Sequence, residues 1–282
     1  MKGCLYVVAT PIGNLGDLSA RGRDILSSVS MIAAEDTRHS RKLLDHFGIG
    51  TGMISLHEHN EASRVPAIIE KLEEGASIAL ISDAGTPLLS DPGSRLVAAA
   101  AAAGIPVSPI PGPAAAIAAL SVAALPGEQF WFEGFLPARA GARSARLETL
   151  SDLQATMIFY VAPHRLLDDL QAMCDVFGSL RNAALARELT KIHEQVYRGS
   201  LETLLERAKG ESTMTRGELV LLVAGVEAAR PEERELEDTA RILLEHLSPR
   251  DAARVLSRLT GAGRNEAYAI TQRICGSSNS EA

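Results

Sequence analysis

Ile78-Ala79-Leu80-Ile81 runs directly into Ser82-Asp83-Ala84-Gly85-Thr86-Pro87, and the fold class follows from this junction. A short apolar run closed by turn residues is the sequence form of a strand buried on both faces of a parallel sheet. Two more junctions repeat the plan: Leu5-Tyr6-Val7-Val8-Ala9 into Thr10-Pro11-Ile12-Gly13-Asn14, and Val107 through Ile110 into Pro111-Gly112-Pro113-Ala114. Helical patterns follow each one. Glycine and proline also punctuate ordinary αβ connections. Three such turns on one sheet edge, however, line a cleft, because ligands of open α/β sheets bind outside the carboxyl ends of the strands. Glycine lets the backbone approach a ligand, and proline fixes φ without offering a competing N–H.

None of these turns is a dinucleotide fingerprint. The first reads Thr10-Pro11-Ile12-Gly13-Asn14-Leu15-Gly16-Asp17, without G-x-G-x-x-G, and no G-x-x-x-x-G-K-[ST] phosphate loop occurs. NAD and ATP are disfavoured. The 282 residues are enough for two globular domains, and 46% hydrophobic with 22% charged residues is an ordinary globular composition. The longest apolar stretch, Val97 to Ile105, is alanine-rich and far shorter than a membrane span. The first residues lack a basic region and a cleavage site, so a cytoplasmic protein with no membrane segment is expected.

Cys4, Cys174 and Cys275 are scattered without C-x-x-C spacing, which suggests neither a zinc site nor a disulfide framework. His57-x-His59 lacks the residues that would complete a metal set, so no metal is expected. The net charge of −7 argues against general coating by nucleic acid but allows a local basic patch. The arginines fall in groups: Arg38 and Arg41 with Lys42; Arg139, Arg143 and Arg146; and Arg250, Arg254, Arg258 and Arg264. The second group sits in or beside the Gly/Ala/Ser-rich segment Pro137 to Ala145. It reads either as a solvated face or as a flexible linker carrying a mobile cationic arm.

Strand and helix patterns predict an α/β domain over 1–125, with strands at Leu5–Ala9, Met31–Ala34, Met53–Ser55, Ile78–Ser82 and Val107–Ile110. A second α/β domain is expected over 126–229. Its strands fall at Phe130–Phe132, Thr156–Val161, Ala183–Arg187 and Leu219–Ala224, and its amphipathic helices at Leu166–Phe177 and Leu201–Lys209. Over 230–282 a charged lead-in, Arg230 to Asp238, precedes three short helices at Thr239–Leu247, Pro249–Thr260 and Asn265–Cys275. Gly276–Ala282 reads as a frayed tail.

Seven segments together carry a family likeness: LYVVATPIGNLGDLS, AAEDTRHSRKLL, SLHEHNE, ALISDAGTPLLSDPG, PIPGPAAAIAALSVA, FWFEGFLP and ARELTKIHEQVYRG. In order, and over essentially the whole chain, they resemble the ribosomal RNA small subunit methyltransferase I family, the RNA-modifying branch of the tetrapyrrole methylase superfamily. The resemblance implies a homodimer of two-domain α/β subunits with S-adenosylmethionine between the domains, plus a helix-turn-helix-like C-terminal module. It implies methylation of a cytidine ribose 2′-hydroxyl in the decoding region of small-subunit rRNA. It places the cofactor on Pro11, on Ser82, Asp83, Ala84, Gly85, Thr86 and Pro87, and on Gly112, Ala114 and Ala115, with Tyr160 and Leu189 on the adenosine side.

For Asp83 the chemistry points the same way. A carboxylate at a strand end accepts from an ammonium, and the N–H groups of Ala84 and Gly85 suit a carboxylate. The competing role is an Asx-type cap of its own turn. Transfer from a sulfonium to a hydroxyl is chiefly a positioning task, to which a base adds about 10²–10⁴-fold. Candidate polar groups are Glu35-Asp36-Thr37-Arg38-His39, His57-Glu58-His59-Asn60-Glu61, and Arg187-Glu188 with Lys191, His193 and Glu194. The expectation is that Glu35, Asp36 or Lys191 deprotonates or orients the hydroxyl, while Arg38, Arg41, Arg139, Arg143, Arg146 and Arg187 hold RNA phosphates. Glu35-Asp36 also reads as the start of a helix Thr37–Phe47, and Glu188, Lys191 and Glu194 as a salt-bridged helix face. Two rival readings are a tetrapyrrole methyltransferase and a non-catalytic ribosome-assembly factor that binds RNA.

Overall fold

The computed structural model describes residues 2–226 and 233–278. Five short apolar runs form an all-parallel sheet: β1 (Leu5–Val8), β2 (Met31–Ala34), β3 (Met53–Ser55), β4 (Ile78–Ile81) and β5 (Val107–Ile110), in the order β3-β2-β4-β1-β5. Strand residues alternate between faces. Ala79 and Ile81 therefore join Val8, Leu26, Ile32 and Leu44 in one core layer, while Ile78 and Leu80 join Leu5, Leu56, Ile68, Leu72 and Leu96 in the other. Burial of both layers demands helices on both faces, supplied by α1 (Ala20–Ser28), α2 (Thr37–His46), α3 (Glu61–Glu73) and α4 (Ser94–Ala102), whereas α5 (Ala115–Val122) packs Ala116 and Ala119 with Ile158, Ala184 and Leu222.

Caps fix where these helices begin. Ser19 accepts from Gly22 N–H at α1, and Asp36 from Arg38 N–H at α2. The N-terminus of α4 is capped from a distance: buried Glu61 accepts from Arg95 and Leu96 N–H at 2.9 and 3.2 Å. In the sheet β1 lies between β4 and β5, with Leu5 opposite both Ile78 and Val107. The three Gly/Pro turns consequently leave the sheet side by side.

A second sheet follows: β6 (Phe130–Phe135), β7 (Thr156–Val161), β8 (Asn182–Arg187), β9 (Gln195–Ser200) and β10 (Leu219–Val223), in the order β6-β7-β10-β8-β9. Only β6 and β7 run parallel; the other pairs are antiparallel. Helices α6 (Ala140–Glu148), α7 (Leu166–Phe177) and α8 (Leu201–Gly210) accompany it. Strand β9 was not expected from the sequence. It is a polar edge strand that buries chiefly Tyr197, so its apolar signal is weak.

The segment read as a possible flexible linker is α6. Its glycine and serine are outweighed by alanines of high helix propensity and by Leu147, which is fully buried against the second sheet. Arg143 lies inside, 7% exposed, with Nη1 3.4 Å from Asp169 Oδ1, and Arg165 reaches the same oxygen at 3.2 Å.

Packing separates a unit Met1–Gly225 from a unit Val226–Ala282. The latter contains α9 (Glu233–Leu244), α10 (Pro249–Thr260) and α11 (Arg264–Ser278), closed around Leu236, Ala240, Leu256, Ala267 and Ile270. Ser248 caps α10 ahead of Pro249, and Gly261 ends it at φ +73°. Helix α9 starts earlier than expected, inside the charged stretch; Arg230 at the head of that stretch lies outside the described residues, as does the end of the tail, 279–282. Among the described residues no helix is long and apolar enough to cross a membrane.

Candidate functional site

A cleft of about 380 Å³ opens where the three turns face the second sheet. One wall is made of Ile12, Ala84, Gly85, Thr86, Leu89, Ser90, Asp91 and Ala115. Antiparallel pairing builds the other. Leu219 sits opposite both Val161 and Arg187, so the ends of β7 and β8 and the start of β10 present Tyr160, Val161, Ala186, Leu189, Leu219 and Val220 together.

Backbone bonds hold the turns rigidly. Thr10 and Gly85 exchange N–H···O bonds of 2.8 and 3.0 Å, and Thr86 Oγ1 donates to Pro113 O at 2.9 Å. The N–H of Gly85 is thus spent on Thr10 and is not free for a ligand carboxylate, contrary to the sequence expectation. Gly85 itself is required, since its φ is +81°. Four non-glycine residues around the site also adopt positive φ: Leu88, Ser90, Glu188 and Thr190. Such conformations cost on the order of 1–3 kcal/mol each and collect at functional sites.

A second cavity of about 300 Å³ adjoins the first and shares Ile12, Ala84 and Glu218 with it. Pro11, Gly13, Leu15, His39, Ser40, Lys42, Leu43, Ser82, Asp83 and Lys191 complete its lining. Lys191 Nζ stands 3.0 Å from Glu188 Oε1 and 3.0 Å from Glu218 Oε1. Burial alone would lower its pKa, but the hydrogen bonds to these two carboxylates prevail and raise it. Lys191 is thus held as an ammonium between two carboxylates. Residues 188–194 form a turn where a salt-bridged helix face was one expectation. Close packing fixes it: a Cβ on Gly13 would collide with Lys191 Cγ, and one on Gly217 would lie 2.5 Å from Glu188 Oε1.

Asp83 does not simply cap its own turn. Its Oδ1 accepts from Asp36 N–H at 3.1 Å, and its own N–H donates to the Glu35 carboxyl. Burial, then the charges of Asp91 and Asp83, push the Glu35 carboxyl above the usual carboxylate range. Asp36 is the opposite case: hydrogen bonds from the Arg38 side chain and N–H hold it well below that range. Neither Glu35 nor Asp36 lines either of these two cavities; of the three expected catalytic residues Lys191 lines the second.

The expected cofactor residues divide. Ala84, Gly85, Thr86, Ala115, Tyr160 and Leu189 line the larger cleft, and Pro11, Ser82, Asp83 and Ala84 the smaller cavity; Pro87, Gly112 and Ala114 line neither. Tyr160 is wedged against Phe132 and Phe135, with centroids 5.1 and 5.6 Å away, and burial pushes its hydroxyl pKa up. Sequence reasoning missed Asp91, Glu218 and Ser40. Asp91 stood in the quoted LSDPG run and Glu218 directly after a glycine, but nothing local marked either one.

The expected phosphate-holding arginines divide too. Arg38, Arg41 and Arg139 are exposed. Arg143 is buried on Asp169, so it is a structural ion pair, because a guanidinium enclosed in a core cannot reach a phosphate. Arg146 is committed to Glu133 at 2.6 and 2.7 Å. Arg187 braces the loops by donating to Arg216 O and His193 O.

Comparison with known proteins agrees with this architecture. Residues 4–205 match the family model of Tetrapyrrole (Corrin/Porphyrin) Methylases, and residues 230–273 that of the RsmI C-terminal HTH domain. The protein named ribosomal RNA small subunit methyltransferase I of Xylella fastidiosa is 51% identical over 269 residues, which is 94% of this chain and 98% of that protein. Its namesake in Pseudomonas aeruginosa is 49% identical, over 94% of this chain and 95% of its own length. Among solved structures, uroporphyrin-III C-methyltransferase of Thermus thermophilus complexed with S-adenosylhomocysteine superposes with a TM-score of 0.56 at 14% identity, over 79% of this chain and 97% of that one. The fold is that of the tetrapyrrole methylases, and by the extent and level of its identity the chain belongs to their ribosomal RNA small subunit methyltransferase I family.

Proposed function

We propose that this chain transfers a methyl group from S-adenosylmethionine to the ribose 2′-hydroxyl of a cytidine in the decoding region of small-subunit rRNA. One observation carries the reading: two cavities of ligand size meet at a shared wall, Ile12, Ala84 and Glu218. Donor and acceptor can then occupy separate chambers that touch at the point of transfer. Family membership supplies the rRNA substrate class, since the relatives bear that name.

The larger cleft fits the cofactor. Its volume lies within the range of small-molecule sites, which are mostly apolar with a few placed polar groups. Ile12, Leu189 and the Tyr160 ring suit an adenosine, and Asp91 and Thr86 supply polar contacts. When bound, S-adenosylmethionine supplies a methyl group already activated on a sulfonium. The chain's own residues do the rest. The rigid turns fix the approach, and the Lys191 ammonium, locked by Glu188 and Glu218, stabilises negative charge as it grows on the acceptor oxygen. Asp83, facing the second cavity with Glu35 hydrogen-bonded to it, takes the hydroxyl proton.

Exposed Arg38, Arg41 and Arg139 meet RNA phosphates in this scheme. Phe130 and Trp131 project from the edge strand β6, 46% and 44% exposed. An exposed apolar edge invites pairing with a second copy, which supports a homodimer. Mapping ribose methylation on small-subunit rRNA from cells with and without the protein tests the assignment; an unchanged map refutes it.

A further inference from the structure

Between β4 and α4 the chain forms a lip of the larger cleft. Leu89, Ser90 and Asp91 line that cleft, yet the lip is bent against its own backbone preferences: Leu88 and Ser90 lie at φ +76° and +65°, and Gly93 at +120°. Left-handed conformations of non-glycine residues persist only where the surroundings impose them. Groups outside the lip must therefore hold it.

Its two ends show which groups do. At the head, Thr86 Oγ1 donates to Pro113 O, and Leu88 is packed in one layer with Leu80 and Leu96. At the foot, Gly93 is the N-cap residue of α4 and has no side chain with which to cap it. The cap comes from α3: the carboxylate of Glu61, 4% exposed, accepts the N–H groups of both Arg95 and Leu96. Glu61 is itself the first residue of α3, so one buried carboxylate serves the positive ends of two helix dipoles. Little slack separates this cap from the cleft. A Cβ on Gly93 would lie 2.6 Å from Leu80 Cδ2, and one on Gly134 of β6 would lie 2.8 Å from Ser90 Oγ. An outward swing of the first turn of α4 would draw Asp91 away from the cleft.

We propose that Glu61, which lines neither cavity, is a positioning residue for the cofactor: its carboxylate holds α4, and through α4 the lip that bears on S-adenosylmethionine. The inference rests on the larger cleft being the cofactor site and adds a residue that acts from outside it. The two strained residues favour release of the lip, so the balance is narrow. A cofactor that binds only the held form loses affinity in proportion to the fraction of that form that is lost.

Full-chain variants test this by equilibrium binding and by methylation of small ribosomal subunits. Glu61→Ala should raise Kd and KM for S-adenosylmethionine about tenfold, within the range expected for a lost helix cap, with kcat at saturating cofactor nearly unchanged. Glu61→Gln should restore most of the affinity, because an amide oxygen accepts from the same two N–H groups. Ile68→Val, on the same helix and in the same core layer, should lower the melting temperature without moving KM. In the wild type, cofactor should slow hydrogen exchange at the Arg95 and Leu96 amides. Wild-type KM in folded Glu61→Ala, or an equal rise in Ile68→Val, overturns the proposal. If Glu61→Ala does not fold, the exchange measurement decides, and exchange that is unaltered by cofactor overturns it. Photocrosslinking of labelled S-adenosylmethionine to the wild type tells the two failures apart: label outside the lining of the larger cleft refutes the cofactor placement and the proposal with it, whereas label inside it with an unmoved KM refutes the role of Glu61 alone.

Discussion

Asp83 Oδ1 accepts a hydrogen bond from the backbone N–H of Asp36 at 3.1 Å, tying the turn after β4 to the turn after β2. Strands β2 and β4 are neighbours in register, Ala34 opposite Ile81, so the two turns emerge adjacent. The result is a group of carboxylates with divergent behaviour. Asp36 is pinned in its ionised form by Arg38, whereas Glu35 holds its proton more tightly than usual because of burial and its acidic neighbours.

That divergence predicts a pH signature. Ionised Glu35 accepts from the Asp83 N–H and so holds the turn that carries the proton-accepting carboxylate, and activity should fall as pH drops through its raised pKa. Glu35→Gln should slow single-turnover transfer by on the order of 10²-fold with cofactor affinity retained. Asp91→Asn removes a charge that raises Glu35, and the acid limb should move to lower pH. An acid limb that stays in place in Asp91→Asn removes Glu35 from the mechanism.

Stability should respond in the opposite direction to activity. A carboxyl whose folded pKa exceeds its unfolded value favours folding while protonated, and that advantage is lost as pH rises from the ordinary glutamate range through the raised value. Glu35→Gln should therefore melt higher than wild type at neutral pH and show no such gain below the ordinary glutamate pKa. Melting curves at the two pH values check this.

Lys191 is held as an ammonium by Glu188 and Glu218. Loss of a single placed donor typically costs about 10²–10³-fold in kcat, so Lys191→Met should fall by that factor while Lys191→Arg keeps part of the rate. Equal loss in both variants would mean that the length of the side chain, not its charge, is what matters.

Arg143 offers a control on the RNA surface. Truncating one member of a buried ion pair costs about 3–5 kcal/mol, and Arg165 still reaches Asp169, which favours the lower end. Arg143→Ala should lower the urea midpoint strongly without changing the salt dependence of RNA binding. Reversing exposed Arg41 and Arg139 should do the converse, flattening the slope by about 0.7–0.9 per lost phosphate contact. Filter binding across a salt series separates the two.

The parallel sheet was legible because Leu5–Val8 and Ile78–Ile81 are continuous apolar runs that lead into turns rich in glycine and proline, a pattern set in Ile78–Ile81 by burial on both faces. Strand β9 was not, since Gln195–Ser200 buries only one face. Arg143 was misread because Gly, Ala and Ser next to arginines look the same in a linker and in a helix; the partner that decides, Asp169, is 26 residues away in sequence. The carboxylate group was partly visible in Glu35-Asp36, but its link to Asp83 and Asp91 exists only through the β2–β4 register.

In the proposed scheme the methyl group passes to rRNA across the wall that the two cavities share. The most direct measurement is transfer of a labelled methyl group from S-adenosylmethionine to purified small ribosomal subunits by the full chain, with the product mapped by nucleotide and by atom. The expected product is a single labelled cytidine, modified at the ribose 2′-oxygen, and Asp83→Asn should lose that label with cofactor binding retained. Label on a base atom, label on a tetrapyrrole but not on rRNA, or undiminished transfer by Asp83→Asn would contradict it.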